Sequence, residues 1–371
     1  MYVIGARPNF MKVAPLMRAV EATGRLGQIL VHTGQHYDAN MSDSFFRDLS
    51  LPAPDVHLAV GGGSHAEQTG RIMIALEKVC LERRPGCVVV LGDVNSTLAG
   101  ALVAAKLQIP LAHVEAGLRS FDRRMPEEVN RVVTDALADI LFTTSEPARA
   151  NLLREGVAPE RIFVVGNIMV DSVLANRDRA AGREIIGRLG LLGRPYGLVT
   201  LHRAANVDDA ATFSRLTGAL AEVAKTLPLV FPVHPRARKQ MRLFGLEGRF
   251  VFHDESSDEF GPPREGAINC YPPLGYLDFL ALTMHAALVL TDSGGLQVEA
   301  AALGVPCVTM RDRTEWVETV SHGTNVLVGS DPEAILAAAR AALGPERRPM
   351  AGFEGWDGQA ARRMAAVLAG C

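Results

Sequence analysis

The chain has 371 residues, 48% hydrophobic and 21% charged, a length and balance that favour two packed domains and leave little room for long disorder. Its 38 Lys and Arg against 41 Asp and Glu give a net charge of -3, so no broad attraction to nucleic acid or to an anionic membrane is expected. Five cysteines, far apart and never in a CxxC pair, argue against a disulfide framework or a zinc site; with no membrane-length apolar run and no signal-peptide pattern, a cytoplasmic protein is expected.

Short β-branched runs then alternate with helical patterns. "MYVI" leads into "GARPNFMK"; "QILVHT" and "CVVVLGD" follow, the latter before "STLAGALVAAKLQ"; then "IPLAHVEAG" precedes "PEEVNRVVTDALAD", and "ILFTTS" and "RIFVVGN" flank "PARANLLREG". Such alternation predicts βαβ units around a parallel sheet. "GGGSHAEQTG" (61–70) follows no strand and is not a GxGxxG fingerprint; it reads as a mobile loop. After a helical stretch over 171–192, a second series opens at "YGLVTLH" and continues through "PLVFPVH", "ALVLTDSGG", "VPCVTM" and "NVLVG". Residues 252–273, rich in acid, Gly and Pro, read as a loop outside the sheet. Two series predict two doubly wound domains, a boundary at 165–171, and a cleft facing the carboxyl ends of both sheets. The final "GWDGQAARRMAAVLAGC" reads as a helix able to pack on either domain.

In such domains the residues just after each strand are the ones that reach a ligand. Arg7 and Lys12 open a helix, where backbone N–H groups and the dipole favour an anion; a solvated basic turn explains them equally. Asp93, Glu115 and Glu127 are acids on or beside neighbouring tips, suited to acid-base work, to stabilising a developing cation, or to metal. No HExxH or Asp-rich calcium pattern supports the metal option. The helix after Pro126 is expected to bury Val129, Val132, Val133, Ala136, Leu137 and Ile140, and acids in its first turn, Glu127 and Glu128, are favoured by the dipole in any case. His202 and His234 follow apolar strands in the second series. In "TDSGGLQVEAAALG", Gly294 and Gly295 let a phosphate approach the backbone, Ser293 adds a hydroxyl, and Glu299 could accept from a ribose diol.

The segments "GARPNFMK", "GDVNSTLAG", "HVEAGLRS", "MPEEVNR", "LHRAAN", "DSGGLQVEA" and "RDRTEW" occur in the order and spacing of a known family, and over nearly its whole length the chain resembles the non-hydrolysing UDP-N-acetylglucosamine 2-epimerases. The resemblance implies an α/β GT-B fold: two Rossmann-like doubly wound parallel-sheet domains, 1–166 and 167–355, with the nucleotide sugar in the interdomain cleft. It implies further that a helix at about 356–371 crosses back onto the first domain, and that the protein is a homodimer. By the same resemblance Ser293, Gly294 and Gly295 hold the diphosphate, Glu299 the ribose, Phe279 lies by the uracil, and Leu274 belongs to the UDP-binding set. Arg7 and Lys12 match substrate contacts; Asp93, Glu115, Glu127 and His202 match catalytic positions. Gln35, His36, Arg71, Arg203 and His234 fall where a second, activating UDP-sugar binds in bacterial members.

The implied reaction removes the C2 proton, eliminates UDP to a 2-acetamidoglucal and adds UDP back to the other face, with no metal or cofactor. A ring C2–H is barely acidic, so departure of UDP must lead, with carboxylates stabilising oxocarbenium character while one of them takes the proton. Trp316 stands where many members carry Arg. "GARP", "TGQHYDANMSD" and "TEWVE" also resemble relatives acting on UDP-2,3-diacetamido-glucuronate, and a GT-B glycosyltransferase or hydrolysing relative is a third reading.

Overall fold

The computed structural model describes residues 1–35, 45–253, 260–344 and 352–370. The chain divides into two units, Met1–Ala175 with Glu354–Cys371, and Asn176–Phe353. No helix among the described residues is long and apolar enough to cross a membrane.

In the first unit, β1 (Tyr2–Ile4), β2 (Leu30–His32), β3 (Val56–His57), β4 (Val88–Leu91), β5 (Leu111–Ala116), β6 (Ile140–Thr143) and β7 (Ile162–Val164) form one parallel sheet in the order β3-β2-β1-β4-β5-β6-β7. Parallel strands covered on both faces can be apolar at every position, and β4, sequence VVVL, is buried throughout. The helices that matter here are α1 (Arg7–Glu21), α2 (His65–Arg83), α3 (Asn95–Lys106), α4 (Pro126–Leu137) and α5 (Glu146–Arg154), while α6 (Ile168–Ala181) begins in this unit and ends in the second.

The second unit repeats the plan: β8 (Gly197–Thr200), β9 (Leu229–Pro232), β10 (Phe250–Phe252), β11 (Ile268–Tyr271), β12 (Leu288–Thr291), β13 (Cys307–Thr309) and β14 (Asn325–Leu327), all parallel, in the order β10-β11-β9-β8-β12-β13-β14. Its main helices are α7 (Ala210–Ala224), α8 (Pro235–Leu243), α9 (Tyr276–His285), α10 (Gly294–Ala302) and α11 (Pro332–Leu343). The last helix, α12 (Ala360–Leu368), belongs to the first unit and packs on α1. Asp171 holds its start, accepting from the amides of Ala360 (3.2 Å) and Ala361 (2.8 Å), and Arg363 Nε donates to the Val165 carbonyl at 2.7 Å.

Three local expectations fail for physical reasons. Residues 65–70 are the start of α2, not a loop: Ser64 accepts from the Glu67 amide at 3.3 Å, and Glu67 Oε2 accepts from the Ser64 amide at 3.0 Å, a reciprocal capping box. The stretch 252–273 contains β11, buried along its length, whose Asn269 side chain donates to the Leu229 and Arg264 carbonyls. Most telling, α4 buries its polar side. Glu128, Asn130, Arg131, Thr134 and Asp135 face inward, while Val129 is 44% exposed, Ala136 is exposed, and Val132, Val133, Leu137 and Ile140 are only half-buried.

Candidate active site

The strand order of the first sheet reverses between β1 and β4, where an open parallel sheet leaves a crevice beyond its strand ends. Asn9 stitches these two tips together. Its Oδ1 accepts from the amides of Gly5 (3.0 Å) and Ala6 (3.1 Å), and its Nδ2 donates to the Leu91 carbonyl at 2.8 Å. One turn along α1, the buried Lys12 ammonium pairs with Glu115 Oε2, while Glu115 Oε1 is buried with no hydrogen-bond partner among the described residues. Burial drives the Glu115 carboxyl above its ordinary range, outweighing the opposing pull of Lys12. Glu115 also has φ +72 at a break in the β5–β6 register, a left-handed backbone that a non-glycine residue holds only when its surroundings impose it.

Asp93 follows β4. Arg131, buried on α4, pairs with its carboxylate, and Asn130 Nδ2 donates to its carbonyl at 2.8 Å. A second arm of Arg131 reaches Glu128, whose oxygens accept from the Ser120 amide (2.9 Å), the Ser120 hydroxyl (3.0 Å) and the Phe121 amide (2.8 Å). Glu128 therefore clamps the loop before α4. Its neighbour Glu127 is half-buried in the first turn.

The second sheet reverses between β8 and β12. At these tips Asp292, fully buried, accepts from the amides of His202 (3.1 Å) and Arg203 (2.9 Å) and from Asn206 Nδ2 (3.2 Å), and His202 Nδ1 lies 3.1 Å from it. Burial alone would raise the Asp292 carboxyl; His202 and the amides outweigh it and hold it below its ordinary value. An Nδ1–H shared with Asp292 leaves His202 Nε2 as the nitrogen to face a ligand. Its ring centroid lies 5.6 Å from that of His234, whose Nδ1 accepts from the Arg236 amide at 3.1 Å.

Ser293 is the N-cap of α10, yet no side chain caps that helix, so its first turn offers N–H groups and the positive end of its dipole. A Cβ on Gly294 would lie 2.5 Å from Glu315 Oε1 and 3.3 Å from Trp316 Nε1, so no other residue fits there without displacement. Gln297 braces the turn, donating to the Ser293 carbonyl (3.1 Å) and accepting from Thr314 (2.7 Å) and Asn325 (3.1 Å). Glu299, 4% exposed on the same helix, has its pKa pushed up to about 8 by burial alone.

Among the remaining candidates, Arg7 begins α1 with its guanidinium 5.6 Å from the Phe45 ring centroid. Leu274, in the turn before α9, and Phe279, within it, are half-buried. The proposed activator set divides between the units. Gln35 Oε1 accepts from the Ser96 amide and hydroxyl (2.9 and 2.7 Å), and Arg71 donates to the Gly62 carbonyl at 2.5 Å, both in the first unit; Arg203 and His234 lie in the second, and His36 lies outside the described residues. Asn9, Arg131 and Asp292 were not among the sequence-derived candidates. All three lie inside the segments that suggested the tips, where a polar residue next to a stronger candidate is easily passed over.

The sequence profile of a family described as UDP-N-acetylglucosamine 2-epimerase matches residues 18–369. The UDP-N-acetylglucosamine 2-epimerase of Methanocaldococcus jannaschii is 42% identical over 371 residues, covering 99% of this chain and 97% of that protein. The UDP-2,3-diacetamido-2,3-dideoxy-D-glucuronate 2-epimerase of Pseudomonas aeruginosa is 44% identical, covering 99% and 98%. A crystal structure of the Methanocaldococcus enzyme with UDP-GlcNAc and UDP superposes with a TM-score of 0.90, covering 100% of this chain and 99% of that one. The Neisseria meningitidis enzyme bound to UDP-GlcNAc, 28% identical, gives 0.86 at 100% and 99% coverage.

Proposed function

Because the chain belongs to the UDP-N-acetylglucosamine 2-epimerase family, a nucleotide-sugar epimerase of GT-B fold, we propose that it interconverts UDP-GlcNAc and UDP-ManNAc by eliminating and re-adding UDP. The observation that carries this reading is Glu115. A buried carboxylate with one oxygen on Lys12 and the other bare is a proton acceptor kept dry and waiting for a donor. Asp93, paired with Arg131, is placed to stabilise oxocarbenium character at C1 while the C1–O bond to UDP breaks. The electrons of the C2–H bond become the C1=C2 double bond, and the proton passes to a carboxylate. Inversion requires that a proton return to the opposite face of C2, so more than one acid is needed; Glu127 and His202 complete the proposed set.

The leaving diphosphate is assigned to the uncapped start of α10, at Ser293, Gly294 and Gly295, with Arg7 and Lys12 as further cations for the substrate and Glu299 for the ribose. Leu274 and Phe279 are assigned to the base, and Gln35, His36, Arg71, Arg203 and His234 to an activating second UDP-sugar. Turnover in D2O tests the chemistry: product must carry deuterium at C2, and retention of the original proton would sink the mechanism. Stoichiometric release of free UDP would instead favour a hydrolase or glycosyltransferase.

The 44% identity to the Pseudomonas enzyme favours a second reading, UDP-2,3-diacetamido-glucuronate as substrate. The two substrates assayed side by side separate the readings, since the extra carboxylate of the second needs an added cation in the sugar pocket. We further infer a cytoplasmic homodimer. The outward apolar side of α4 supports the dimer, as do Ile74 (63% exposed) and Leu81 (60%) on α2, since α2 packs on α3 and α3 on α4.

A further inference from the structure

Behind the Asp93 turn lies a buried group of charges that the proposed chemistry does not use. His113, on β5 two residues before Glu115, is fully buried, with Nδ1 2.6 Å from Asp135 Oδ1 and Nε2 2.8 Å from the Gly92 carbonyl oxygen. A carbonyl oxygen only accepts, so Nε2 carries a proton. Asp135 Oδ2 already accepts from the Gly117 amide (3.0 Å) and lies 2.7 Å from Arg119 Nη1, which favours the ionised carboxylate; its Oδ1 then also accepts, and Nδ1 carries a proton too. Arg119 is itself held by a two-pronged contact with Glu155 (2.8 and 2.6 Å).

The geometry points to His113 as a doubly protonated imidazolium that acts as a positioning residue, clamping the Gly92 carbonyl and so setting the turn that presents Asp93. The turn is gripped at three successive carbonyls by side chains from four elements. Leu91 is held by Asn9 Nδ2 (2.8 Å) and Thr97 Oγ1 (2.7 Å), Gly92 by His113, and Asp93 by Asn130 Nδ2 (2.8 Å). Gly92 has φ +66, so its peptide has an unusual orientation that the clamp helps to fix. The turn also touches the other half of the proposed chemistry, because a Cβ on Gly92 would lie 2.8 Å from Lys12 Nζ and 3.7 Å from Glu115 Oε2. A shift of this peptide therefore displaces Asp93 and disturbs the Lys12–Glu115 pair together. Asp135 acts one step further back by keeping the imidazole charged, and Arg119 by holding Asp135 ionised.

This inference rests on the epimerase reading only for its kinetic arm. His113→Asn keeps a donor near the Nδ1 position for Asp135 but gives up the bond to Gly92; His113→Gln keeps the reach to Gly92 and gives up Asp135. The Asn variant should lose about 100-fold in kcat with KM within about threefold, and the Gln variant about tenfold or less, the range set by misplacing a reacting group by a fraction of an ångström to an ångström. Thermal stability should rank the opposite way, Asn above Gln, because Gln leaves the buried Asp135 Oδ1 without the donor that Asn retains. Activity that simply follows stability, or an Asn variant within about threefold of wild type in kcat, overturns the role. Should neither variant fold, nitrogen-15 histidine spectra of the wild type decide: both ring nitrogens of His113 must be protonated, and a neutral tautomer overturns the proposal. Wild type that places no deuterium at C2 sinks the epimerase reading and leaves the spectroscopic arm intact.

Discussion

Glu299 is a carboxylic acid that burial lifts from 4.5 to about 8, so near neutral pH it is mostly protonated before any ligand binds. A ribose diol donates hydrogen bonds, which favours the ionised acceptor and lowers that pKa. UDP binding at pH 7 should therefore release a proton, and affinity should rise as pH increases from 6 toward 9. Calorimetry in two buffers of different ionisation enthalpy measures the proton count, and the difference between wild type and Glu299→Gln separates this residue from titration of the nucleotide's own phosphate. Equal release by both proteins would remove Glu299 from the ribose. The same shift acts on folding with a fixed sign: a raised carboxyl contributes most below the unfolded value of 4.5 and is lost as pH rises through about 8. Without UDP, the melting temperature should fall more steeply from pH 6 to 9 in wild type than in Glu299→Gln. The acids of the first unit predict a different split. Glu127→Gln should keep UDP affinity and lose at least about 100-fold in turnover, the usual share of an acid-base group; unchanged turnover removes it from the chemistry.

At the scale of elements, what the sequence reveals depends on whether a segment's structure is decided locally. The alternation of β-branched runs with helical patterns is local, and it identified the parallel sheets and the tips beyond β4, β5, β8 and β12. The capping box of Ser64 and Glu67 is equally local, but three preceding glycines masked it. The orientation of α4 is not local. Periodicity locates an apolar face and assumes it turns inward, whereas here the inward face is occupied by Arg131, Asn130 and Asp135, each consumed by a partner within or just beyond β4 or β5. Those partners become visible only when β4 and β5 are brought beside the helix. For the same reason the tips themselves were legible while Asn9, His113 and Asp292, which hold the tips in place, were not. The attachment of α12 is likewise a long-range matter, resting on Asp171, whose carboxylate satisfies two amides that open the helix. Asp171→Ala leaves both without an acceptor and should cost about 1 to 3 kcal/mol, read as a drop in thermal stability. Limited proteolysis should then cut the C-terminal segment before the remainder of the first unit; uniform digestion would show that α12 is held chiefly by its packing on α1.

For the whole molecule, the inverted α4 poses a question that a single chain does not answer. A helix with Val129 at 44% exposure and its neighbouring valines half-covered leaves apolar surface in water, and α2 adds Ile74 and Leu81 one heptad apart. The proposed second copy of the chain would cover this face without any new partner, since two-fold pairing places like surfaces together. A charge at the centre of such a contact must be desolvated without a counter-charge. Val129→Asp should therefore weaken self-association by at least about 2 kcal/mol, more than tenfold in Kd, while the fold survives because the side chain is already partly in water. Sedimentation equilibrium across a concentration series measures the first effect and thermal unfolding of the monomeric variant the second. A wild type that sediments as a monomer at micromolar concentration, or a variant that still pairs, would assign the exposed face of α4 to something other than a second copy. If dimer formation also anchors α4, then Arg131 and Asn130 on its opposite side transmit that anchoring to Asp93. The monomeric variant should then lose turnover while retaining UDP affinity, since the diphosphate is assigned to the second unit.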